Sequence, residues 1–174
     1  MHANNDFDPQ RIAKRMLRES GEGALATLVS AGAPYASLVT VATLPDGSPV
    51  LLLSKLARHT ANIAADSRVS LLLKADRAGD PLAGARISIS GRIERTENPA
   101  AKRRFLACHP SAMGYAEFAD FNFFRIEMES AHLVAGFGRI VDLTAEFAEP
   151  KSYPLALMDK NMGVGRPIWK ESIP

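Results

Sequence analysis

Between Ser54 and Asn62 the sequence Ser-Lys-Leu-Ala-Arg-His-Thr-Ala-Asn gathers two hydroxyls, two cations, an imidazole and an amide. An apolar run precedes the cluster and an alanine-containing helical pattern follows it, so it falls where a strand ends and a helix starts. A phosphate suits that place. The first helical turn leaves N–H groups unpaired, the helix dipole adds partial positive charge, Arg58 can pair bidentately, and Ser54 and Thr60 can donate hydroxyl bonds. The same residues also serve as a solvated helix start with Ser54 or Thr60 as its cap.

Other candidate groups are more scattered. Arg86 lies on the polar face of an alternating segment, where it meets either solvent or an anionic ligand. His109 and His132 are single imidazoles with no ligand partner at metal spacing. Cys108 and His109 do not form a dyad, because helix neighbours point about 100° apart. Neither a Ser/His/Asp order nor a carboxylate pair stands out, so an enzyme of this sequence takes its chemistry from a cofactor. The block Tyr115, Phe118, Phe121, Phe123, Phe124 reads as core or subunit interface ahead of a planar-ligand pocket. Gly136-Phe137-Gly138 reads as a bulge or a close backbone approach within one strand from Ala131 to Leu143.

The elements that position these groups follow from local pattern. Asp8-Pro9 opens a helix over about residues 9–20 whose apolar side carries Ile12, Met16 and Leu17. Leu25–Ser30, Tyr35–Leu44 and Val50–Leu53, separated by Ala31-Gly32 and Pro45-Asp46-Gly47, predict a three-stranded meander. A second helix is expected at 57–65, strands at Arg68–Leu73 and around Ile87–Glu94, a third helix at 99–108, and a strand from Phe123 to Glu129. Ile87, Ile89 and Ile93 alternate with Arg86, Ser88, Ser90, Arg92 and Glu94, which gives that strand one wet or ligand-facing side. The sum is a mainly β fold with helices, a closed antiparallel barrel of six strands; no Rossmann or P-loop glycine pattern appears.

Length and composition set the bounds. At 174 residues the chain is one domain, divided into a barrel with its N-terminal helix (1–145) and a C-terminal tail (146–174). Hydrophobic residues at 47% and charged residues at 23% support a core without disulfides or a structural metal. A net charge of +2, with no concentrated basic stretch, disfavours nucleic acid as a partner. The single cysteine fits a reducing compartment. The N-terminus has no secretory pattern and the longest apolar runs are too short to span a bilayer, so a soluble, cytoplasmic protein with no membrane partner is expected.

Tyr35 to Thr40, Pro45-Asp46-Gly47, Leu51 to Ser54 and Leu56 to Asn62 together resemble the FMN-binding split barrel of the pyridoxamine 5′-phosphate oxidase-like proteins. His109-Pro110, Phe118 to Phe121, Phe124-Arg125 and Ala131 to Arg139 look like its haem-utilisation (HugZ-type) branch. The resemblance implies a homodimer with FMN at the interface. Carried over by position, Ser37, Leu38, Val39 and Thr40 would line the flavin, Ser54, Arg58, His59, Thr60 and Asn62 would surround its phosphate, and Arg86 would reach the partner chain's flavin. It further implies a flavin-dependent oxidoreductase of unknown substrate. The alternative is a haem-binding or haem-degrading protein with Arg125 near a propionate and His132 on the iron. A non-catalytic flavin-binding or stress-related protein is the third reading.

Overall fold

The structure, a computed structural model, describes residues 7–75, 83–136 and 138–148. The stretch around 75–84, whose Gly, Asp and Pro content reads as a loop, and the tail beyond Ala148 lie largely or wholly outside the described residues. Helix α1 (Pro9–Glu19) begins where Asp8 accepts a hydrogen bond from the Arg11 amide at 3.0 Å, with proline in its first turn. The strands are β1 (Glu22–Leu28), β2 (Pro34–Thr40), β3 (Ala42–Thr43) and β4 (Pro49–Ser54). After helix α2 (Arg58–Ala65) come β5 (Arg68–Lys74) and β6 (Arg86–Arg95), then helix α3 (Pro99–Cys108), capped by Asn98, and finally β7 (Phe121–Val134) and β8 (Ile140–Thr144). All three expected helices are present within one residue of the expected bounds.

The strands form one antiparallel sheet in the order β2-β1-β5-β6-β7-β4-β3, with β8 paired to β7. Its terminal strands β2 and β3 are consecutive in the chain and separated only by Val41, so the sheet curls back toward itself. The expected strand Tyr35–Leu44 therefore breaks at Val41: one half pairs with β1, the other with β4. The break is held from both sides. The Val41 amide donates to the Gly21 carbonyl at 2.9 Å, and His109 Nε2–H donates to the Val41 carbonyl at 2.8 Å.

The described residues form eight strands against the expected six; the break at Val41 divides one expected strand, and a hairpin redraws the boundary of another. Gly136 and Gly138 have φ of +103° and +74°, and the Ala135 amide donates to the Arg139 carbonyl at 2.8 Å. Glycine supplies those left-handed conformations without a Cβ penalty. The segment read as one strand from Ala131 to Leu143 is thus the end of β7, a turn, and β8.

β7 is long because it contains a bulge. Ser90 faces Ser130 and Gly91 faces Met128, which leaves Glu129 unopposed. The extra residue reverses the alternation: Phe124 and Ile126 are buried before it, Ala131 and Leu133 after it. Arg125 and His132, odd and even, consequently share the outer face.

The core lies inside the curl, with Leu25, Leu51, Leu71, Leu73, Ile87, Ile89, Ile126 and Leu133 fully buried under Met16 and Leu17 of α1. A smaller cluster lies outside, where Ala101 and Phe105 of α3 cover Ala42, Leu44, Val50 and Leu52. Of the aromatic block, Phe124 joins the inner core, Phe123 meets Phe105 edge-on and Tyr115 packs on Phe121, while Phe118 stays exposed. A short 3-10 turn, Ala145–Ala148, buries Phe147 and Ala148 in the inner core. No described helix is long and apolar enough to cross a membrane.

Candidate functional site

The residues of the Ser54–Asn62 cluster converge where β4 runs into α2, and most of their polar groups bond one another. Ser54 Oγ donates to Asp120 at 2.9 Å and accepts from the Leu56 amide at 3.1 Å. Thr60 Oγ1 donates to the Ser54 carbonyl at 2.7 Å, and Lys55 Nζ donates to the Ala119 carbonyl at 2.8 Å. Asn62 is buried and donates to Thr27 Oγ1 at 2.9 Å. What remains for an anion is the α2 N-terminus, which has no side-chain cap, and the exposed Arg58 guanidinium, lying over the Tyr35 ring at 5.2 Å. That donor set fits one phosphate edge; the Asp120 carboxylate beside Ser54 works against a full dianion.

His59 Nδ1 and Ser37 Oγ are 3.0 Å apart, while His59 Nε2 is buried with no partner. Burial pushes the His59 imidazole below its ordinary value of 6.5, because the charged form loses hydration that nothing replaces. The unfolded chain therefore binds a proton at a pH where the folded chain does not. Stability should fall as pH drops below about 6.5 toward the depressed folded value and be fully present above it. His59→Gln should flatten this part of the profile in urea denaturation between about pH 7 and about pH 5. Equal slopes for the two proteins would show that His59 is not the group responsible.

The strand alternation separates residues that the resemblance groups together. Ser37 and Val39 face α2 and the core, whereas Leu38 and Thr40 point outward. The outward residues belong to the part of the outer sheet face, away from β3 and β4, that α3 does not cover. Across β2, β1, β5, β6, β7 and β8 one row reads Leu38, Ala24, Leu72, Ser88, His132, Asp142. Leu38 is 73% exposed and Leu72 43%, an unusual placement for leucines unless something packs on them. The adjacent row brings Lys74 and Arg86 side by side, next to Val134 and the exposed Ile140.

His132 is the chemical centre of this face. Its Nδ1 lies 2.6 Å from Asp142 Oδ1, with the histidine side chain half exposed. The partner is a carboxylate, so Nδ1–H donates, and Nε2 is the ring nitrogen that this contact leaves for another partner. Sequence reasoning singled out His132 and missed Asp142. The signal was present: the two are equidistant from position 137, as cross-strand partners of a hairpin centred there must be. Arg125, by contrast, pairs with Asp46 at 3.2 Å at the other end of β7. Seven residues of strand, roughly 20 Å, separate it from His132, so one chain does not bring the two onto one small ligand.

The chain matches the family described as CREG, beta-barrel, over residues 7–153. This chain belongs to the CREG β-barrel family. It is similar to the chloroplastic heme oxygenase HOZ of Arabidopsis thaliana, with 32% identity over 140 residues, 79% of this chain and 42% of that protein. It is also similar to a solved heme-binding protein of Mycobacterium smegmatis, with 34% identity and a TM-score of 0.77 over 82% of this chain and 60% of that one. The chain thus spans about two fifths and three fifths of the length of these relatives. A Clostridium acetobutylicum protein related to general stress protein 26, of the pyridoxinephosphate oxidase family, shares the fold, with a TM-score of 0.63 at 14% identity over 82% of this chain and 99% of that one. This member of the CREG β-barrel family therefore has the split-barrel fold that its motifs resemble.

Proposed function

We propose that this protein binds haem on the uncovered part of the outer sheet face, where His132 would hold the iron. The carrying observation is a half-exposed imidazole held through Nδ1 by a carboxylate, set in a row that contains exposed leucines. Haem needs an iron ligand, an apolar floor and cations for its propionates. Leu72, two strands from His132 in the same row, supplies apolar floor. Lys74 and Arg86 lie one row away, Arg86 at roughly 8 Å from His132 by strand spacing. Two relatives of more than 30% identity whose names refer to heme add support. When bound, the iron supplies redox chemistry, and this chain supplies the ligand, the charge and the shielding from water. One sheet face covers only one side of a planar ligand, whereas ligand sites bury 70–90% of theirs. A second copy packed on the same face completes the site, which makes the functional unit a homodimer.

A flavin-dependent oxidoreductase is the second reading, favoured by the uncapped α2 N-terminus with Arg58 and Lys55 beside it. There Arg58 and the first-turn amides would hold the FMN phosphate, and Ser37, on the α2 side of β2, would border the ring. Parallel titrations with haemin and FMN separate the two. The haem reading predicts a Soret shift saturating at a fixed stoichiometry per chain, weakened by Leu72→Glu and indifferent to Arg58→Ala. Flavin uptake that Arg58→Ala abolishes, with no Soret change, would reverse the order of the two readings. A solution mass of one chain in the haem-loaded state would remove the dimer.

A further inference from the structure

We propose that Asp142 is a positioning residue that sets the electron-donor strength and the orientation of His132 toward iron; this rests on the haem reading above. The two residues face each other across β7 and β8, and the Nδ1–Oδ1 distance of 2.6 Å is that of a short, charge-assisted hydrogen bond. The contact fixes which nitrogen carries the proton and holds the ring by its far side. A carboxylate behind an imidazole also increases electron density at the opposite nitrogen, which favours the higher charge of ferric iron over ferrous.

The surroundings leave this task to Asp142 among the described groups. Ser88, across from His132 on the other flank, has a hydroxyl and no charge, and Lys74 and Arg86 in the next row are donors that cannot accept a hydrogen bond from the ring. Asp142 itself is 88% exposed at the side chain and buries no apolar surface that a substitution would vacate. A residue kept only for folding gains little from such a place, since exposed ion pairs contribute about 0–1 kcal/mol.

The test compares the full-length wild-type protein with Asp142→Asn and Asp142→Glu, using haemin titration and spectroelectrochemistry of the haem-loaded protein. Asparagine keeps an acceptor and removes the charge; glutamate keeps the charge. Asp142→Asn should weaken haemin affinity about 10- to 100-fold and move the ferric/ferrous midpoint to a more positive value, with the glutamate variant recovering most of both. Thermal unfolding of the haem-free variants should match wild type, which separates this role from a structural one. If His132→Ala abolishes binding while Asp142→Asn keeps wild-type affinity and midpoint, the inference about Asp142 is overturned and the haem reading stands. If His132→Ala binds haemin as the wild type does, both fall together.

Discussion

Replacing His132 by alanine is expected to cut haemin affinity by at least about 100-fold, more than the 10- to 100-fold typical of losing a ligand's hydrogen-bond partner, because the substitution removes the ligand itself. The Soret band should lose the position characteristic of a nitrogen ligand, and added imidazole should restore it by filling the vacated space. The fold should survive. His132 is half exposed on a strand whose core contacts come from its neighbours Ala131 and Leu133, so alanine there leaves no internal cavity. Haemin binding with unchanged affinity and spectrum would mean that the face around Leu72 is not the site, and attention would pass to the α2 end of the barrel.

The largest expected effect on stability belongs to Gly91. A Cβ at this position would lie 2.0 Å from the Glu127 carbonyl oxygen and 3.0 Å from its carbon, so the neighbouring strand would have to move. That neighbour is backbone in the most extensive strand pair of the sheet and has no rotamer to yield. Gly91→Ala should therefore cost about 3 kcal/mol, the upper part of the usual range for overpacking. Against a typical total of about 5–15 kcal/mol this is a large fraction. The measurement is the urea midpoint at constant slope, with Gly114→Ala as the control, since a Cβ there meets nothing within 4 Å. A Gly91→Ala midpoint equal to the control's would show that the bulge slides to make room.

Gly91 also matters to the site. The bulge it permits leaves Glu129 unopposed and turns His132 to the outer face, beside Ser88. Without that extra residue the alternation begun at Phe124 and Ile126 would place His132 inward, since 124, 126 and 132 are all even. A local accommodation between two strands thus decides whether the imidazole meets the core or a ligand.

The sequence by itself determined what depends on near neighbours. Asp8-Pro9 and Asn98-Pro99 marked two helix starts because a cap and a proline act within one turn. The alternation of Ile87, Ile89 and Ile93 with polar residues marked a half-buried strand because side chains there repeat every two residues. The motifs of the split barrel were likewise legible as a local string, and the family match agrees with them. Tertiary structure decided the rest. Which polar side chains are free follows from partners far along the chain, Asp120 for Ser54 and Thr27 for Asn62. The division of Ser37, Leu38, Val39 and Thr40 between two faces follows from strand pairing. The union of His132 with Asp142 needs a turn at Gly136–Gly138 that their sequence also allows to be a bulge. The physical reason is common to all three. Backbone preference acts over a few residues, whereas register and hydrogen-bond pairing are fixed only when the whole sheet buries its inner face.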